Sequence, residues 1–515
     1  MKYYSTNHTA PTASLKEAVE RGLAPDKGLY MPEHIKQLPK EFFNNIQNLS
    51  FQEIARQVAE AFFGEDIAPE DLRRIVDDTL TFDCPVVKVE DNIYALELFH
   101  GPTLAFKDVG ARFMARLLSL INSQGVKELR SEGVQTIVSP FNSSTRQLVN
   151  VLVATSGDTG SAVANGFLGV DGIHVYVLYP KGKVSAIQEC QFTTLGQNIT
   201  AIEVDGVFDD CQRLVKTAFM DEELNRRMTL TSANSINVAR FLPQAFYYFN
   251  AVARIREEGV QEFRSSGVQD DSTVNRQPST VNPISPQSGG LEGGIVISVP
   301  SGNFGNLCAG LFAHTMGLPV SRFIAANNAN DVFYNYLQTG RYEPKPSLQT
   351  IANAMDVGDP SNFARIVELY NTQGVKEFGS EGVQEFGSSR SSGVQVLPPV
   401  GGIRGGLPSF ITGATYTDDE IRQTMRQCYE RTGYILDPHG ACGYQALRDQ
   451  LRPGEIGIFC ETAHPAKFKQ TVDETLGIDL PIPDRLAAFM SGQKQAISLS
   501  ARFEDFKQLL LNTLE

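Results

Sequence analysis

The feature that most constrains the fold is the alternation of short apolar tracts with helical segments from about Pro85 onward. Runs that are apolar at nearly every residue are typical of strands buried on both faces, as in parallel sheets covered by helices. The sequence therefore predicts an α/β fold with largely parallel sheets wrapped by helices, in two units with the site between them. The strand-like tracts are VVKV, IYALEL, VNVLVATS, HVYVLYP, ITAIEV, GIVISVPS, RFIAANN and EIGIFCET.

The N-terminal part of the chain has a different pattern. Phe51 to Phe63 and Pro69 to Thr79 each carry one apolar face at helical spacing, which predicts a mostly helical N-terminal domain. A chain of 515 residues has room for about three domains of ~150 residues each. We predict boundaries that give a helical domain at 1–84, a smaller α/β domain at 85–235 and a larger one at 236–515.

Three polar stretches interrupt the α/β pattern and share one motif. They are GVKELRSEGVQ (125–135), GVQEFRSSGVQ (259–269) and GVKEFGSEGVQ (374–384), the last followed by EFGSSRSSGVQ. The copies are polar and far apart, so they cannot stack as repeats that bury a common face. We predict surface insertions at about 124–148, 259–292 and 374–402, following helices at 111–122, 241–257 and 362–370. A partner-docking role for the repeated motif is the alternative to disorder.

Lys107 is the first candidate for chemistry. It lies in HGPTLAFKD, in a Gly/Pro-containing turn at the start of a predicted helix. A lysine enclosed by Phe99, Leu104 and Phe106 would lose hydration, which disfavours its ammonium form and frees the amine as a nucleophile or base. A solvated lysine with a buried stem is the alternative for such a residue taken alone.

Two further segments predict anion cradles. Val151 to Phe167 and Gly294 to Ala313 each run from a strand through a small, polar loop into a helix, an arrangement that points backbone N–H groups at an anion. The second loop spans Ser301 to Asn306, with a helix beginning near Leu307. It lacks the P-loop lysine and the three-glycine spacing of a dinucleotide fingerprint, so a single phosphate monoester fits better. A reactive lysine beside a phosphate cradle indicates pyridoxal phosphate, whereas simple Gly-rich helix caps are the alternative.

Composition excludes several other classes. With 45 Lys+Arg against 59 Asp+Glu, the net charge of −14 disfavours nucleic acid or an anionic membrane as a partner. The 7 cysteines are scattered without metal-ligand spacing, which is typical of reduced thiols. The chain carries no signal-peptide pattern and no run of about 18 apolar residues. We expect a cytoplasmic enzyme without a bound metal.

Six motifs in this order resemble the threonine synthase family of fold-type II pyridoxal-phosphate enzymes. They are YYSTNHTAPTASLKEAVERGLAPDKGLYMP, HGPTLAFKD, ATSGDTGSA, SANSINVARFLPQ, PSGNFGNLCAG and CETAHPAKF. The resemblance covers nearly everything except the three insertions. It implies a tryptophan synthase β-like fold with two open, mostly parallel sheets. Residues 1–84 would then be the family's N-terminal domain, and 85–235 and 236–515 the smaller and larger cofactor domains.

The resemblance also implies which residues bind the cofactor. Lys107 would form a Schiff base with pyridoxal 5'-phosphate and move protons, and Thr462 would face the pyridine nitrogen. Asp158 would lie near the cofactor's phenolic oxygen. Many relatives carry asparagine there, and a carboxylate would repel an anionic substrate unless it were protonated or paired. The phosphate would be held by Gly302, Asn303, Phe304, Gly305, Asn306 and Leu307.

For the substrate, the resemblance implies two groups of residues. The α-carboxylate would be bound by Thr155, Ser156 and Thr159. The substrate's own phosphate would be bound by Lys181, Lys183, Asn234, Ser235, Asn237 and Arg240, since arginine offers a planar fork and lysine a point charge for a dianion.

The implied activity is conversion of O-phospho-L-homoserine and water to L-threonine and phosphate by a monomer or homodimer. Three alternatives stay open from the residues: a phospholyase that releases a 2-oxo acid, a serine/threonine dehydratase, and a non-catalytic scaffold on the same fold. A dehydratase has no need of a second phosphate site, and the intact lysine and glycine-rich loop argue against a scaffold.

Overall fold

The structure is a computed structural model that describes residues 1–131, 148–265, 293–377, 395–396 and 407–513. The helices are α1 (Leu15–Arg21), α2 (Lys40–Asn45), α3 (Phe51–Phe63), α4 (Pro69–Thr79), α5 (Lys107–Ser131), α6 (Asp158–Phe167), α7 (Ala186–Thr193), α8 (Phe208–Met220), α9 (Glu222–Arg227), α10 (Val238–Phe241), α11 (Ala245–Ser265), α12 (Gly305–Thr315), α13 (Val332–Thr339), α14 (Phe363–Glu377), α15 (Asp418–Thr432), α16 (Pro438–Gln450), α17 (Lys469–Leu476), α18 (Asp484–Met490) and α19 (Phe503–Asn512).

The strands are β1 (Tyr3–Ser5), β2 (Tyr30–Pro32), β3 (Val86–Glu90), β4 (Ile93–Glu97), β5 (Val149–Ala154), β6 (Ile173–Pro180), β7 (Ile199–Asp205), β8 (Thr229–Ser232), β9 (Ile295–Pro300), β10 (Arg322–Asn327), β11 (Arg341–Tyr342), β12 (Gln395–Val396), β13 (Ile411–Thr415), β14 (Ile456–Glu461) and β15 (Ile497–Ser500). Short 3₁₀ helices lie at Ile46–Asn48, Leu242–Gln244, Asn353–Met355 and Pro465–Phe468.

Two open sheets form the centre of the molecule. The larger has six strands in the order β13-β10-β9-β14-β4-β3, and the smaller has five in the order β15-β7-β6-β5-β8. Every pairing in the smaller sheet is parallel, and in the larger sheet the described antiparallel pair is the β3–β4 hairpin at one edge. The central strands β5, β9 and β10 are buried along their whole length, which explains their continuous apolar runs.

Sheet membership does not follow the predicted division of the chain. The strands β3 and β4 lie in the larger sheet, although 85–235 was predicted as the smaller domain, and β15 lies in the smaller sheet, although 236–515 was predicted as the larger. Strand pairing joins residues far apart in sequence, since β15 pairs with β7 across almost 300 residues. A division of the chain into consecutive segments cannot assign these strands to the sheets in which they lie.

The N-terminal part is mainly helical and also contains a small sheet. Its helices α3 and α4 have the bounds that the apolar periodicity predicts. Ser14 and Ser50 begin α1 and α3 with capping boxes, in which each serine and the glutamate three residues later satisfy each other's backbone N–H groups. The two-stranded antiparallel sheet of β1 and β2 was not predicted, because strands of three residues leave little periodic signal.

The repeated motif begins inside helices. The helices α5, α11 and α14 continue to residues 131, 265 and 377. The first residues of each copy are therefore helical, whereas the prediction placed them in loops that follow the helices. The bulk of the predicted insertions, at 132–147, 266–292, 378–394 and 397–406, lies outside the described residues. Within the described ranges, no helix is both long enough and apolar enough to cross a bilayer.

Candidate active site

One cavity lies where strands from both sheets end. Its lining includes residues that follow the carboxyl ends of β5, β8, β9 and β14, together with Lys107 in the segment after β4. Ligands of open α/β folds bind at this edge because the loops that leave the carboxyl ends converge there. The lining contains these predicted site residues: Lys107, Ser156, Thr159, Asn234, Ser235, Arg240, Gly302, Asn303, Phe304, Gly305, Asn306 and Thr462.

The segment before Lys107 is held against the segment that contains Thr462. The N–H of Phe106 donates to the carbonyl of Thr462 at 2.9 Å, and the N–H of His464 donates to the carbonyl of Leu104 at 3.1 Å. Ala105 and Ala463 form an antiparallel bridge between these bonds. Lys107, the first residue of α5, and Thr462, which follows β14, are thereby fixed on adjacent backbone segments beside the cavity.

The ammonium form of the lysine is disfavoured by its surroundings. Burial lowers the pKa of Lys107, the negative charge of Asp158 raises it, and the positive charges of Lys467 and Arg240 lower it, with a net result of about 8. Desolvation is the main cause because an ammonium ion loses its hydration inside the protein. An amine with this pKa can act as a nucleophile or base without an alkaline medium.

The start of α12 forms the predicted anion cradle. The helix begins at Gly305, slightly earlier than predicted, and Phe304 precedes it in the left-handed conformation with φ of 57°. Phe304, the N-cap residue, makes no side-chain cap hydrogen bond, so the helix start offers backbone N–H groups to an anion at the positive end of the helix dipole. The ring of Phe304 packs against Phe333 with centroids 4.5 Å apart, which holds the turn in place.

Ser235 joins this cradle to the segment after β8. Its hydroxyl accepts hydrogen bonds from the side-chain amides of Asn303 at 3.1 Å and Asn362 at 3.0 Å. A side chain at Gly305 would bring a Cβ atom to 2.7 Å from the Ser235 Cβ, closer than real Cβ contacts allow. Glycine at 305 is therefore needed for the two segments to approach each other.

Arg240 lines the same cavity with a buried guanidinium. The side chain is buried at 2% exposure, and its Nε donates to the carbonyl of Ala233 at 3.2 Å. Its Nη1 is also buried but meets no hydrogen-bond acceptor among the described residues. Burial lowers the pKa of Arg240 to about 10, which leaves it protonated at neutral pH. A buried guanidinium with an unsatisfied donor is suited to an anionic ligand.

Asp158 is paired, which answers the question that the sequence left open. Its Oδ1 lies 2.6 Å from Nζ of Lys467 and accepts a hydrogen bond from Nε2 of Gln188 at 2.9 Å. Burial alone would raise the pKa of Asp158, but the charges of Lys467 and Lys107 hold the pKa well below its usual range. The carboxylate is ionised and its charge is balanced by a lysine.

Two predicted substrate contacts have side chains that serve the local structure instead. The Thr155 hydroxyl accepts the N–H groups of Gly157 at 2.9 Å and Gly160 at 2.8 Å, which shapes the loop before α6. Asn237 is fully buried, caps α10 through the N–H of Ala239, and donates to the carbonyl of Val19 at 2.8 Å. Both side chains are already hydrogen-bonded to backbone groups of the protein. A contact with the substrate stays a prediction for both residues.

Three further predicted residues lie outside the cavity lining. Lys181 and Lys183 are exposed in the turn after β6, so their role in binding the substrate phosphate stays a prediction without a contact to support it. The N–H of Leu307 donates to the side chain of Asn306 at 3.0 Å and is already satisfied. The cradle therefore consists mainly of the residues before Leu307.

Other residues in and beside the site were missed or undervalued. His439 lines the cavity, with Nδ1 2.5 Å from the Asp437 carboxylate and Nε2 accepting the N–H of Ala354 at 3.2 Å. This is the local hydrogen-bonding role expected of a histidine beside a turn. Lys467 lies within CETAHPAKF and was not predicted as a site residue. A lysine between Ala466 and Phe468 in an apolar motif is a usable signal, since lysine is seldom buried without a partner.

The inner cavity shares lining residues with a larger groove that provides access. The groove has a volume of about 1120 Å³ and includes Ala154, Gln212, Asn234 and Asn303, which also line the cavity. Other parts of its wall come from the N-terminal segment and from α8 and α14. The groove therefore adjoins the cavity that contains Lys107.

Comparisons with known proteins agree with this geometry. A family model described as threonine synthase N terminus matches residues 2–80, and one described as threonine synthase, C-terminal, matches residues 440–510. The threonine synthase of Haemophilus influenzae is 39% identical over 488 residues, covering 94% of each chain. The crystal structure of threonine synthase from Escherichia coli superposes with a TM-score of 0.79 at 37% identity and covers 100% of both chains. A pyridoxal-phosphate-bound threonine synthase from Brucella melitensis gives a TM-score of 0.77 at 30% identity over 99% of each chain.

Proposed function

Because this chain belongs to the threonine synthase family, we propose that it converts O-phospho-L-homoserine and water into L-threonine and phosphate. Its fold is that of the fold-type II enzymes and its cofactor is pyridoxal 5'-phosphate. The observation that carries the choice of substrate is the second anion site. The buried guanidinium of Arg240 lines the same cavity as the start of α12, so a cation lies in the cavity together with the helix N-terminus that would hold the cofactor phosphate.

The residues present fit the cofactor. The N-terminus of α12 would hold the phosphate. The amine of Lys107, whose pKa is lowered to about 8, would react with the carbonyl carbon, and the hydroxyl of Thr462 would face the ring nitrogen. When bound, the cofactor supplies an electron sink for carbanion chemistry at the substrate's Cα. A threonine hydroxyl at the ring nitrogen does not hold a proton there as an aspartate would, so it moderates this sink.

Lys107 performs the proton transfers. Its amine lies at the rigid start of α5, and a pKa of about 8 lets it take a proton from Cα and return it near neutral pH. Loss of a Cβ proton and of the γ-phosphate, reprotonation at Cγ and addition of water at Cβ complete the conversion. The overall balance is one phosphate released for each water added.

Arg240 and its neighbours act on the phosphate. The guanidinium lines the cavity and can donate to the phosphate in the substrate and to the free anion after its release. Asn234 and Ser235 line the same side of the cavity and offer neutral polar groups. Retention of the released phosphate would place a base near the water that attacks Cβ.

The loop from Ser156 to Thr159 receives the substrate carboxylate. Both residues line the cavity at the start of α6, where the helix dipole favours an anion. The adjacent Asp158 is neutralised by Lys467, so a second carboxylate can bind without strong repulsion.

The cysteines bear on the cellular compartment of the enzyme. The seven cysteines are free, and all except the half-buried Cys190 are buried, as suits a reducing compartment, and we place the enzyme in the cytoplasm. For the assembly we propose a monomer or a homodimer.

Product analysis tests the proposal. The purified enzyme with its cofactor is incubated with O-phospho-L-homoserine in H₂¹⁸O, and threonine, phosphate and 2-oxo acid are measured together. We expect threonine and phosphate in equal amounts, with one ¹⁸O in the threonine hydroxyl, and neither product from Lys107→Ala. Phosphate with a 2-oxo acid in place of threonine would identify a phospholyase, and no phosphate release would identify a scaffold.

A further inference from the structure

Lys467 and Asp158 form a buried ion pair that the proposed reaction does not itself require. The side chains are 0% and 3% exposed, and their charged atoms are 2.6 Å apart. Lys467 Nζ also donates to the carbonyl of Thr103 at 3.1 Å, and Gln188 donates to the Asp158 carboxylate at 2.9 Å. A buried ion pair carries a large desolvation cost and often adds little stability. Stability alone therefore does not explain this pair, and we look for its role in the active site.

The pair connects the two sheets beside Lys107. Asp158 begins α6 after β5 of the smaller sheet, and Lys467 lies in the 3₁₀ helix after β14 of the larger sheet. The hydroxyl of Ser185, from the smaller-sheet side, donates to the Lys467 carbonyl at 3.3 Å. Thr103 belongs to the segment that leads into Lys107, and its N–H and hydroxyl bind Asp108 at 2.8 and 2.6 Å.

Charges from several elements act on this group. Asp158, Lys467 and Arg240 affect the charge state of Lys107, and Asp158 is itself affected by Lys467, Lys107 and His439. Lys467 also acts on Asp108 in α5 and on His464 in its own segment. Within this set, Asp158 stabilises the ammonium form of Lys107, and Lys467 opposes it.

We propose that Lys467 is a positioning residue that neutralises Asp158, so that the loop at 156–159 accepts the substrate carboxylate and Lys107 keeps the charge balance its chemistry needs. The part that concerns the carboxylate rests on the proposed function. The part that concerns Lys107 follows from the geometry of the chain alone and is tested without substrate or cofactor.

The first experiment measures the pKa of Lys107 directly. The full-length chain, prepared free of cofactor, is treated with limiting acetic anhydride across a pH series, and acetylation of the Lys107 peptide is followed by mass spectrometry. Asp158→Asn should lower the pKa of Lys107 and Lys467→Met should raise it, each by about one unit, the order expected for the loss of a nearby charge. The double variant should return it close to the wild-type value.

Matched variants separate this role from a structural one. Lys469→Met removes a nearby lysine whose partners are Asp473 and Asp479, and should leave the pKa of Lys107 unchanged. Lys467→Arg keeps the positive charge and should also leave the pKa of Lys107 unchanged. Shifts of the same sign in both single variants, or no shift in either, would overturn the proposal. If Lys467→Met fails to fold, Lys467→Arg and the Asp158→Asn variants still decide between these outcomes.

The second experiment concerns the carboxylate and is made on the cofactor-bound enzyme. An unbalanced Asp158 should repel the substrate, so Lys467→Met should raise KM for O-phospho-L-homoserine about tenfold, and Asp158→Asn in the same chain should recover most of that loss. An unchanged KM in Lys467→Met would contradict this part. If the substrate assignment is wrong, wild type itself will show no turnover, while the acetylation result stands.

Discussion

At the residue scale, the buried position of Lys107 disfavours the protonated form of its amine. Burial lowers its pKa from 10.5 to about 8, while its side chain keeps partial access to the cavity. A group whose pKa is lower in the folded state binds fewer protons there than in the unfolded chain. The free energy of unfolding must therefore rise with pH between about 8 and 10.5, and the full penalty applies below about 8.

Replacement of Lys107 by methionine should relieve this penalty. In the cofactor-free chain at pH 7, we expect Lys107→Met to stabilise the fold by about 1–3 kcal/mol, given 1.36 kcal/mol for each unit of pKa and partial access to solvent. The gain should shrink as the pH approaches 10.5, because unfolded lysine then also loses its proton. Urea unfolding at pH 7 and pH 10 measures both values. A gain that does not change with pH would mean that packing, and not charge, is responsible.

Arg240 and Asn237 lie three residues apart and should behave differently. Arg240→Ala removes a cation with a free donor, so the enzyme should lose roughly 2–4 kcal/mol of transition-state binding for O-phospho-L-homoserine. Cofactor absorbance should hardly change. Steady-state kinetics and spectra measure the two effects. Equal loss of cofactor would show that Arg240 serves the cofactor phosphate or the fold.

Asn237→Ala provides the matched control within SANSINVAR. It removes the α10 cap and the bond to Val19, which should lower stability by about 1–2 kcal/mol with little change in KM. A large rise in KM without a change in melting temperature would instead support the substrate contact that the sequence predicted.

At the scale of elements, the start of α12 depends on its close approach to the segment after β8. Gly305→Ala places a Cβ atom 2.7 Å from that of Ser235 and should push the helix start out of position. We expect the dissociation constant for pyridoxal phosphate to rise about tenfold, since backbone N–H groups hold the anion only when correctly aimed. Absorbance titration of the cofactor-free chain measures this constant.

A second substitution in the facing segment checks the cause. Ser235→Gly in the Gly305→Ala chain removes the opposing Cβ and should restore part of the affinity, although it also removes the hydroxyl that binds Asn303 and Asn362. If the double variant binds no better than Gly305→Ala, steric contact with Ser235 is not the reason for the loss.

At the scale of the whole molecule, the first copy of the repeated motif lies well away from the chemistry. Lys107 begins α5, and the copy starts at residue 125 of the same helix, which at 1.5 Å per residue is roughly 27 Å away. The described site residues all lie outside the predicted insertions. These stretches therefore have no described contact with the cavity.

Removal of two of the insertions should leave the enzyme active. Deletion of 133–146 and of 267–291, each closed with about eight Gly/Ser residues, should preserve cofactor binding and keep kcat within about twofold, since long loops add little closure entropy. Absorbance and initial rates are compared with wild type. Folded single deletions without threonine formation would show that the insertions act on the site, as a docking or regulatory role requires.

The amino-acid sequence determined the local elements and the family. Continuous apolar runs marked β5, β9 and β10, and amphipathic spacing with Ser50 and Pro69 at the helix starts marked α3 and α4. The fold class, the cofactor and the enzyme activity predicted from the motifs are confirmed by the comparisons. These features are readable because periodicity and turn chemistry operate over a few neighbouring residues.

The tertiary structure alone decided which side chains meet. Sheet membership of β3, β4 and β15 depends on pairings across long stretches of chain, and the pairing of Asp158 with Lys467 joins residues that lie 309 positions apart. The hydroxyl of Thr155 accepts from the N–H of Gly157 in its own loop, and the amide of Asn237 donates to the distant carbonyl of Val19. Both side chains satisfy buried backbone groups that need partners. Such choices follow from burial and long-range contact, and no local pattern encodes them.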